Sequence, residues 1–231
     1  MRIEHLDATD SLHLKVTGVY EPRETALVHR LLKPGMTFVD VGAHIGYYTT
    51  MAAELVGPTG RVYAFEPNPA TAELLRKNTM RYGDVVHIVQ AAASDKNGRG
   101  KLYLSRNNSG DHRSYARPGR ESVDVDVVTL DAVLEGVVVD FIKMDAQGVE
   151  YDILRGAEAT LRRSPRVDGL VEFRPRSMRP GVKPRMLIEQ LHRMGFVLHT
   201  FRDAKLVPIG SDPRKWRRFH KNLFIRKRGG K

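Results

Sequence analysis

The sequence predicts an α/β fold with an open, mostly parallel sheet and helices on both of its faces. Two observations support this prediction. Short apolar runs bounded by glycine and proline alternate with segments of helical periodicity along most of the chain. In addition, the run at 37–41 leads into a glycine turn and then into an apolar helix, an order typical of nucleotide-binding α/β units.

The composition is that of an ordinary globular protein. The 231 residues predict one domain, with a strand and helix lead-in over residues 1–35 and a core over residues 36–231. No run approaches the roughly 18 apolar residues of a transmembrane helix. The N-terminus has no apolar signal segment, so we expect a cytoplasmic protein. The absence of cysteine excludes disulfides, thiolate nucleophiles and zinc–thiolate sites.

The chain is strongly basic, with a formal net charge of +11. Such a charge favours anionic partners, namely nucleic acid, a phosphorylated substrate or an acidic membrane surface. The C-terminal segment 215–231 interleaves Trp216 and Phe219 with lysine and arginine, a pattern that suits phosphate binding and base stacking. A solvated basic surface beside an edge strand explains the same residues. The charge alone therefore does not identify a binding partner.

The lead-in is expected to contain one strand and one helix. Leu12, Leu14 and Val16 alternate with polar residues at the period of a strand. A helix should begin near Pro22 and end before Pro34.

The first core strand, 37–41, carries Asp40 and runs into the turn D-x-G-x-x-x-G. Gly42 and Gly46 permit a tight turn and let a ligand approach the backbone closely. The first amides of the following helix, 45–56, would face that ligand. The turn differs from the G-x-G-x-x-G of dinucleotide-binding proteins, which argues against an NAD-binding protein.

The second strand, 61–65, ends at Glu66 and is followed by a Pro-Asn-Pro turn and an expected helix over 70–82. A carboxylate at this position can accept hydrogen bonds from both hydroxyls of a ribose. We therefore expect Glu66 to bind the ribose of a nucleotide-like ligand.

The third strand, 85–91, is followed by small residues that would leave room for an aromatic base. Ser94 or Asp95 could bond the exocyclic amine of that base, although a plain turn explains the same residues. Two further strands are expected at 101–104 and 122–128.

The segment between those two strands, SRNNSGDHRSYARPGR, is too polar to belong to the core. It is expected either to cover the active site as a lid or to be a disordered loop. Four residues of this segment have side chains that could take part in catalysis or binding: Asp111, His112, Arg113 and Tyr115.

The fourth core strand, 137–144, ends at Asp145, and a helix is expected over 149–163. Because the carboxyl ends of parallel strands line one crevice, Asp145 should lie beside Asp40 and Glu66. The rest of the chain should form, in order, a strand at 169–173, a helix at 184–194, and strands at 196–201 and 219–225.

Three ordered motifs, DVGAHIGYYT, FEPNP and FIKMDAQGVE, resemble those of FkbM-like S-adenosylmethionine-dependent methyltransferases. The resemblance implies the class I methyltransferase fold, a Rossmann-like sheet of seven strands with a reversed last strand. It also implies that the glycine turn contacts the methionyl part of the cofactor, that Glu66 holds the ribose, and that Asp145 lies near the cofactor amino group and the substrate. The implied cofactor-binding residues are Asp40, Gly42, Ala43, His44, Gly46, Tyr47, Glu66, Pro67, Asn68, Ala92, Ser94, Asp95 and Asp145.

Two residues depart from that pattern. His44 stands where asparagine is common, which should matter little because the backbone does most of the binding. Gln147 stands where glutamate is usual in D-x-E-G-x-E, which removes a carboxylate near the substrate. Glu150 matches the final acid, although an acid that stabilises the start of the following helix explains the same residue.

The resemblance implies methylation of a hydroxyl on a small molecule or sugar, and the basic charge of the chain is compatible with an anionic acceptor. Methylation of a nucleic acid such as RNA is the alternative. A hydroxyl acceptor must lose its proton at or before attack. Asp145 is the first candidate for the proton acceptor, and His112 is the second. A divalent metal held by Asp145 and Glu172 is a third option. No metal site is assigned, because no cluster of ligands has diagnostic spacing.

Overall fold

The computed structural model describes residues 18–106, 108–202, 205–209 and 221–229. The expected strand near residue 14 lies outside these residues. The helices are α1 (Pro22–Leu31), α2 (Tyr47–Val56), α3 (Pro69–Thr79), α4 (Leu130–Val133), α5 (Glu150–Arg155), α6 (Glu158–Arg163) and α7 (Pro184–Arg193). The strands are β1 (Thr37–Val41), β2 (Arg61–Phe65), β3 (Val86–Val89), β4 (Ala92–Ala93), β5 (Gly98–Tyr103), β6 (Ser122–Val128), β7 (Phe141–Met144), β8 (Val167–Phe173), β9 (Val197–Arg202), β10 (Lys205–Pro208) and β11 (Lys221–Lys227).

The main sheet has the strand order β10-β9-β11-β8-β7-β1-β2-β3. Strands β3, β2, β1, β7 and β8 are parallel neighbours, whereas β11 runs antiparallel between β8 and β9. This arrangement confirms the predicted α/β fold with a reversed last strand. It adds one strand to the predicted seven, because β10 pairs antiparallel with β9 at the edge.

The strands predicted at 101–104 and 122–128 form a separate small sheet. β5 and β6 pair antiparallel, and β4 pairs parallel with β6. The covering loop, defined here as residues 105–121, connects β5 to β6 and therefore starts and ends beside this small sheet.

Side chains alternate across the main sheet and pack against helices on both faces. In β1, Val39 and Val41 belong to the apolar cluster that includes residues of α5, α6 and α7. Phe38 points to the other face of the sheet, where it belongs to the apolar cluster that includes residues of α1 and α2. The two-residue period of a strand buried on both faces produces this division.

Two predicted elements differ most from the observed ones. The helix expected over 149–163 is two helices, because Gly156 ends α5 and packs against the backbone of Ser94, where a Cβ atom would collide. The strand expected over 137–144 is shorter, since Val139 donates its amide to the Ser164 hydroxyl at 2.9 Å instead of to a neighbouring strand. In the described part of the chain, no helix has the length and apolar character needed to cross a membrane.

Candidate active site

The carboxyl ends of β1, β2, β7 and β8 meet at one crevice with two lobes. The larger lobe has a volume of about 220 Å³, and the smaller lobe has a volume of about 70 Å³. The larger lobe is lined by, among others, Tyr20, Asp40, Ala43, Tyr47, Tyr48, Lys143 and Arg174. The smaller lobe is lined by residues that include Glu66, Pro67, Ala92 and His112. Both lobes share Gly42, His44, Ser109, Gly110, Asp145 and Gln147.

The turn after β1 is held by backbone contacts that require glycine. Gly42 has a φ of 79°, and a Cβ atom there would collide with the carbonyl oxygen of Asp145. The amides of Gly42 and Ala43 both donate to the carbonyl of Phe65 at 3.0 Å. Glycine is therefore needed at position 42 because the turns after β1 and β7 touch, in addition to any need for ligand access.

Gly46 lies away from the lining of both lobes. It caps the start of α2 with a φ of 90°, and a Cβ atom there would lie 2.6 Å from the Leu75 side chain. Its glycine thus lets α2 and α3 approach closely, which differs from the ligand contact that the sequence led us to expect.

Glu66 lies at the end of β2 in the smaller lobe and is only 6% exposed. Its two carboxyl oxygens accept hydrogen bonds from the amides of His44 and Asn68, each at 2.9 Å. Burial raises the pKa of Glu66 to about 7, although these two amides hold it down. Each oxygen keeps a lone pair for a further donor.

Asn68 supports Glu66 rather than lining either lobe. Its side-chain oxygen accepts from the amides of Ala70 and Thr71, so it caps α3. The Asn68 amide is thereby fixed where it can donate to Glu66.

A buried lysine, Lys143 on β7, sits among three acids in the floor of the larger lobe. It is the register partner of Asp40, and its Nζ lies 3.4 Å from Oδ2 of Asp145 and 4.7 Å from the Tyr48 ring centre. Burial alone would lower the pKa of Lys143, but Asp145, Glu21 and Asp40 together raise it, so the lysine is charged.

Asp40 is fully buried beside this lysine. Its Oδ2 accepts from the Thr49 hydroxyl at 2.6 Å, and its Oδ1 has no hydrogen-bond partner among the described residues. Burial raises the pKa of Asp40, and the charge of Lys143 opposes that rise.

Asp145 lies where the two lobes meet. Oδ1 accepts from the Gln147 side chain at 2.9 Å, and Oδ2 faces Lys143. Burial would raise the pKa of Asp145, but the charges of Lys143 and Arg174 outweigh it and hold the pKa below its usual range. The carboxyl is therefore charged at neutral pH, and its position agrees with the expected one beside Asp40 and Glu66.

Glu172 is the next carboxyl along this edge, at the end of β8. It pairs with Nε of Arg174 at 2.8 Å. Burial, Asp145 and Glu150 raise the pKa of Glu172 to about 10. Among the described residues, no group of three or more acids, histidines and cysteines is arranged to hold a metal ion.

The described part of the covering loop lies across the crevice. Ser109 Oγ is 3.1 Å from Nε2 of His44, on the turn after β1. The buried Arg113 donates to the carbonyl of Gln147, and the Tyr115 hydroxyl donates to the carbonyl of Ser177 at 2.7 Å. The described part of the loop is thus fastened to the turns that follow β1, β7 and β8.

The two histidines at the crevice are neutral at pH 7. His112 lines the smaller lobe, and its Nδ1 accepts from the Ser105 amide at 3.0 Å. Burial lowers the pKa of His112, and burial together with His112 lowers the pKa of His44 to about 4.

Two of the residues expected at an adenine site lie elsewhere. Ala92 does line the smaller lobe, but Ser94 and Asp95 line neither lobe. The Ser94 amide donates to Val128, and Asp95 pairs with Arg155 on α5 at 3.5 Å. The chain turns toward β6 and α5 directly after β4, which carries these two side chains away from the crevice.

Comparison with known proteins decides the family. The sequence profile of the methyltransferase FkbM domain matches residues 40–204. The chain belongs to the FkbM methyltransferase family. It is therefore an S-adenosylmethionine-dependent methyltransferase, and S-adenosylmethionine is its cofactor.

Individual relatives agree with this assignment. The 2-O-methyltransferase NoeI of Sinorhizobium fredii is 29% identical over 174 residues, which cover 64% of this chain and 70% of NoeI. The 31-O-demethyl-FK506 methyltransferase FkbM of Streptomyces tacrolimicus is 40% identical over 67 residues, which cover 29% of this chain and 25% of that protein.

A solved structure shares the fold. The TehB-like S-adenosylmethionine-dependent methyltransferase from Corynebacterium glutamicum superposes with a TM-score of 0.52 at 12% identity, covering 96% of each chain. At this identity the likeness concerns the fold alone.

Sequence reasoning missed several residues of this methyltransferase's crevice, including three with charged or aromatic side chains. Lys143 sits inside an apolar run, Arg174 follows β8, and Tyr48 follows the glycine turn. A lysine within FIKM was the one available signal, because a charge inside a buried strand needs partners.

Proposed function

We propose that the protein transfers the methyl group to a hydroxyl of a small polar acceptor, such as a sugar, bound in the larger lobe. The cofactor would lie along the glycine turn with its ribose on Glu66 and its adenine beside Ala92. The names of the relatives NoeI and FkbM, both O-methyltransferases, support this proposal. The position of Asp145 between the lobes is the single observation that carries it, because the reacting atoms must meet there.

The residues of the smaller lobe fit such a cofactor. Glu66 offers spare lone pairs on two oxygens, which suits two ribose hydroxyls. Ala92 and the neighbouring Ala93 are small and leave space for a flat base. The unpartnered oxygen of buried Asp40 suits a positive charge of the cofactor.

The wall of the larger lobe supports a ring-shaped acceptor. Tyr20, Tyr47 and Tyr48 form an edge-to-face cluster with ring centres 5.3–6.5 Å apart. Aromatic side chains present apolar faces together with polar hydroxyls. Such a wall suits a sugar, which has apolar ring faces and a polar edge.

Arg174 supports an acceptor that carries an anionic group. Its side chain is 47% exposed at the lobe, and only Nε is engaged, with Glu172. Its two terminal nitrogens make no hydrogen bond or ion pair with the described residues. A guanidinium edge of this kind binds a carboxylate or phosphate with two parallel hydrogen bonds.

The bound cofactor supplies a methyl group on a sulfonium, which is already a good leaving group. The protein's own task is then to align the acceptor oxygen, exclude water and take up the hydroxyl proton. Asp145 is our candidate for the proton acceptor, because it is charged and lies between the lobes. The covering loop would exclude water. His112, in the smaller lobe with Nδ1 engaged by Ser105, is the second candidate.

The test combines turnover with cofactor binding for Asp145→Asn. The wild-type protein should transfer labelled methyl groups to members of a panel of sugars, sugar acids and sugar phosphates. The variant keeps the shape but has no basic carboxylate, so turnover should fall by about 10²–10⁴-fold. Cofactor affinity measured by calorimetry should change far less. If affinity falls in step with turnover, Asp145 is a cofactor ligand, and His112→Asn becomes the next variant.

Arg174→Gln tests the anionic acceptor. Michaelis constants should rise for acidic acceptors and stay unchanged for their neutral counterparts. Equal effects on acidic and neutral acceptors would reject a role for Arg174 in binding an anionic group.

The nucleic-acid alternative depends on the basic C-terminal segment. Trp216 and its neighbours lie outside the described residues, and no contact of the described crevice favours it. We therefore propose no second function.

A further inference from the structure

Gln147 stands between two carboxyl groups at the crevice. Its side-chain nitrogen donates to Oδ1 of Asp145 at 2.9 Å and lies 3.4 Å from Oε1 of Glu172. Its carbonyl accepts from Arg113, and its backbone has a left-handed φ of 59°. The covering loop therefore holds the backbone while the side chain spans the two acids.

The two acids lie close together because of the sheet register. Met144 of β7 is paired with Val171 of β8, so Asp145 and Glu172, which follow them, are neighbours. Two carboxyl groups in one buried site oppose each other's ionisation. Burial and the charge of Asp145 therefore raise the pKa of Glu172 to about 10, while Asp145 carries the charge. A donor beside Asp145 favours that charge, and a third carboxylate would oppose it.

We propose that Gln147 is a positioning residue, whose side-chain amide bridges Asp145 and Glu172 and holds the Asp145 carboxylate turned toward the crevice. The missing carboxylate of the D-x-E-G-x-E pattern is thus replaced by a hydrogen-bond donor. Gln147 acts through Asp145 and needs no contact with the acceptor.

The charge on Asp145 depends on groups from every element around it. They are Lys143 on β7, Asp40 on β1, His44 on the following turn, Glu21 before α1, Glu150 on α5, and Glu172 and Arg174 at the end of β8. Lys143, Arg174 and the neighbouring Glu172 favour the charged form of Asp145, whereas the charges of Asp40, Glu21 and Glu150 oppose it. The Gln147 side chain, a neutral hydrogen-bond donor, also favours the charged form of Asp145.

Two variants separate the contributions of shape and charge. Gln147→Glu keeps the size of the side chain but replaces the donor with a negative charge. Gln147→Ala removes the donor without adding a charge. Gln90→Glu adds the same charge at an exposed side chain that contacts Arg76 and lines neither lobe, and it serves as the matched control.

The first readout is the ¹³C resonance of the Asp145 carboxyl in the protein without cofactor, assigned with Asp145→Asn. Its titration midpoint should rise by at least about one pH unit in Gln147→Glu, because a like charge replaces a donor. The midpoint should rise less in Gln147→Ala and stay unchanged in Gln90→Glu. Unchanged midpoints in both position-147 variants would overturn the proposal.

The second readout is turnover against pH, which rests on the proposed role of Asp145. Its acid limb should move to higher pH in the same order, Gln147→Glu more than Gln147→Ala. A purely structural role would lower turnover at every pH while leaving both the limb and the carboxyl midpoint unmoved, and that result would overturn the proposal. If the carboxyl midpoint moves but the limb does not, the positioning role stands and Asp145 is not the proton acceptor. If Gln147→Glu does not fold, the Gln147→Ala midpoint alone decides.

Discussion

Cofactor binding should tighten as the pH rises through neutrality, because Glu66 must be charged to accept two ribose hydrogen bonds. Burial raises the pKa of Glu66 to about 7 in the free protein. Donors from the ribose would stabilise the carboxylate, so binding should lower this pKa and release a proton. The free carboxyl is protonated below pH 7 and must lose that proton on binding, so affinity is weaker there.

The size of the effect follows from the pKa. For one linked proton with a pKa near 7, affinity should rise about tenfold between pH 6 and pH 8 and level off above that. Replacing Glu66 with alanine should weaken binding at pH 8 by about 1.5–3 kcal/mol, the range for hydrogen bonds to a charged group. That range corresponds to a factor of about 10–150.

Calorimetry in buffers of different ionisation enthalpy measures both affinity and proton release. The matched control is Glu66→Gln, which keeps the volume but cannot titrate. The cofactor's own amino group, with a pKa of about 7.7–8.0, titrates nearby, but its contribution should persist in this variant. The histidines at the crevice interfere little, since burial lowers the pKa of His44 to about 4 and also lowers that of His112.

Stability must be followed alongside. The Glu66 carboxyl accepts from the amides of His44 and Asn68, so either substitution leaves a buried donor without its acceptor. That loss should cost about 1–3 kcal/mol of folding free energy, visible as a lower melting temperature. If folded Glu66→Gln binds as tightly as wild type and shows the same proton release, the ribose assignment is wrong.

Three further predictions concern the architecture around the crevice. Gly42→Ala should destabilise the protein by several kcal/mol in urea unfolding, on the order of the largest single-site effects, because its Cβ would collide with the Asp145 carbonyl. Wild-type stability would show that the two turns can separate freely. Lys143→Met should cost about 3–5 kcal/mol by leaving buried acids unpaired, and the loss should shrink at low pH as those acids take up protons. If the loss of folding free energy in Lys143→Met does not depend on pH, the substitution affects only packing. Arg113→Leu should speed hydrogen exchange in the covering loop but not in α7, because Arg113 binds the loop to the carbonyl of Gln147. If exchange changes equally in the loop and in α7, Arg113 does not hold the loop in place.

Much of the fold was predictable because strand and helix periodicities are local properties. The glycine turn and the acids at the ends of β2 and β7 were located from sequence for the same reason. Parallel strands bring their carboxyl ends together whatever the loops do, so Glu66 and Asp145 had to share an edge. The break between α5 and α6 was not predictable, because it depends on Gly156 touching Ser94 from a distant part of the chain.

Ser94 and Asp95 show where sequence distance misleads. Both follow β4 closely, and a base was expected beside them. The direction of the chain after β4 is set by pairing of the Ser94 amide with Val128 and of Asp95 with Arg155. These partners lie far along the sequence, so only Ala92, still within the strand, was placed at the crevice by its position alone.

Lys143 marks the limit of such reasoning most sharply. Burying a lysine is costly unless acids surround it, and of the two acids near Lys143 in the sequence only Asp145, two residues on, shares its side of the strand. The other acids, Asp40 and Glu21, come from β1 and from the residue before α1, and they reach the lysine only after the sheet has formed. An acid at a strand end depends on one strand and can be predicted. A buried lysine depends on three converging elements, so its charge, and with it the charge of Asp145, is a property of the assembled fold.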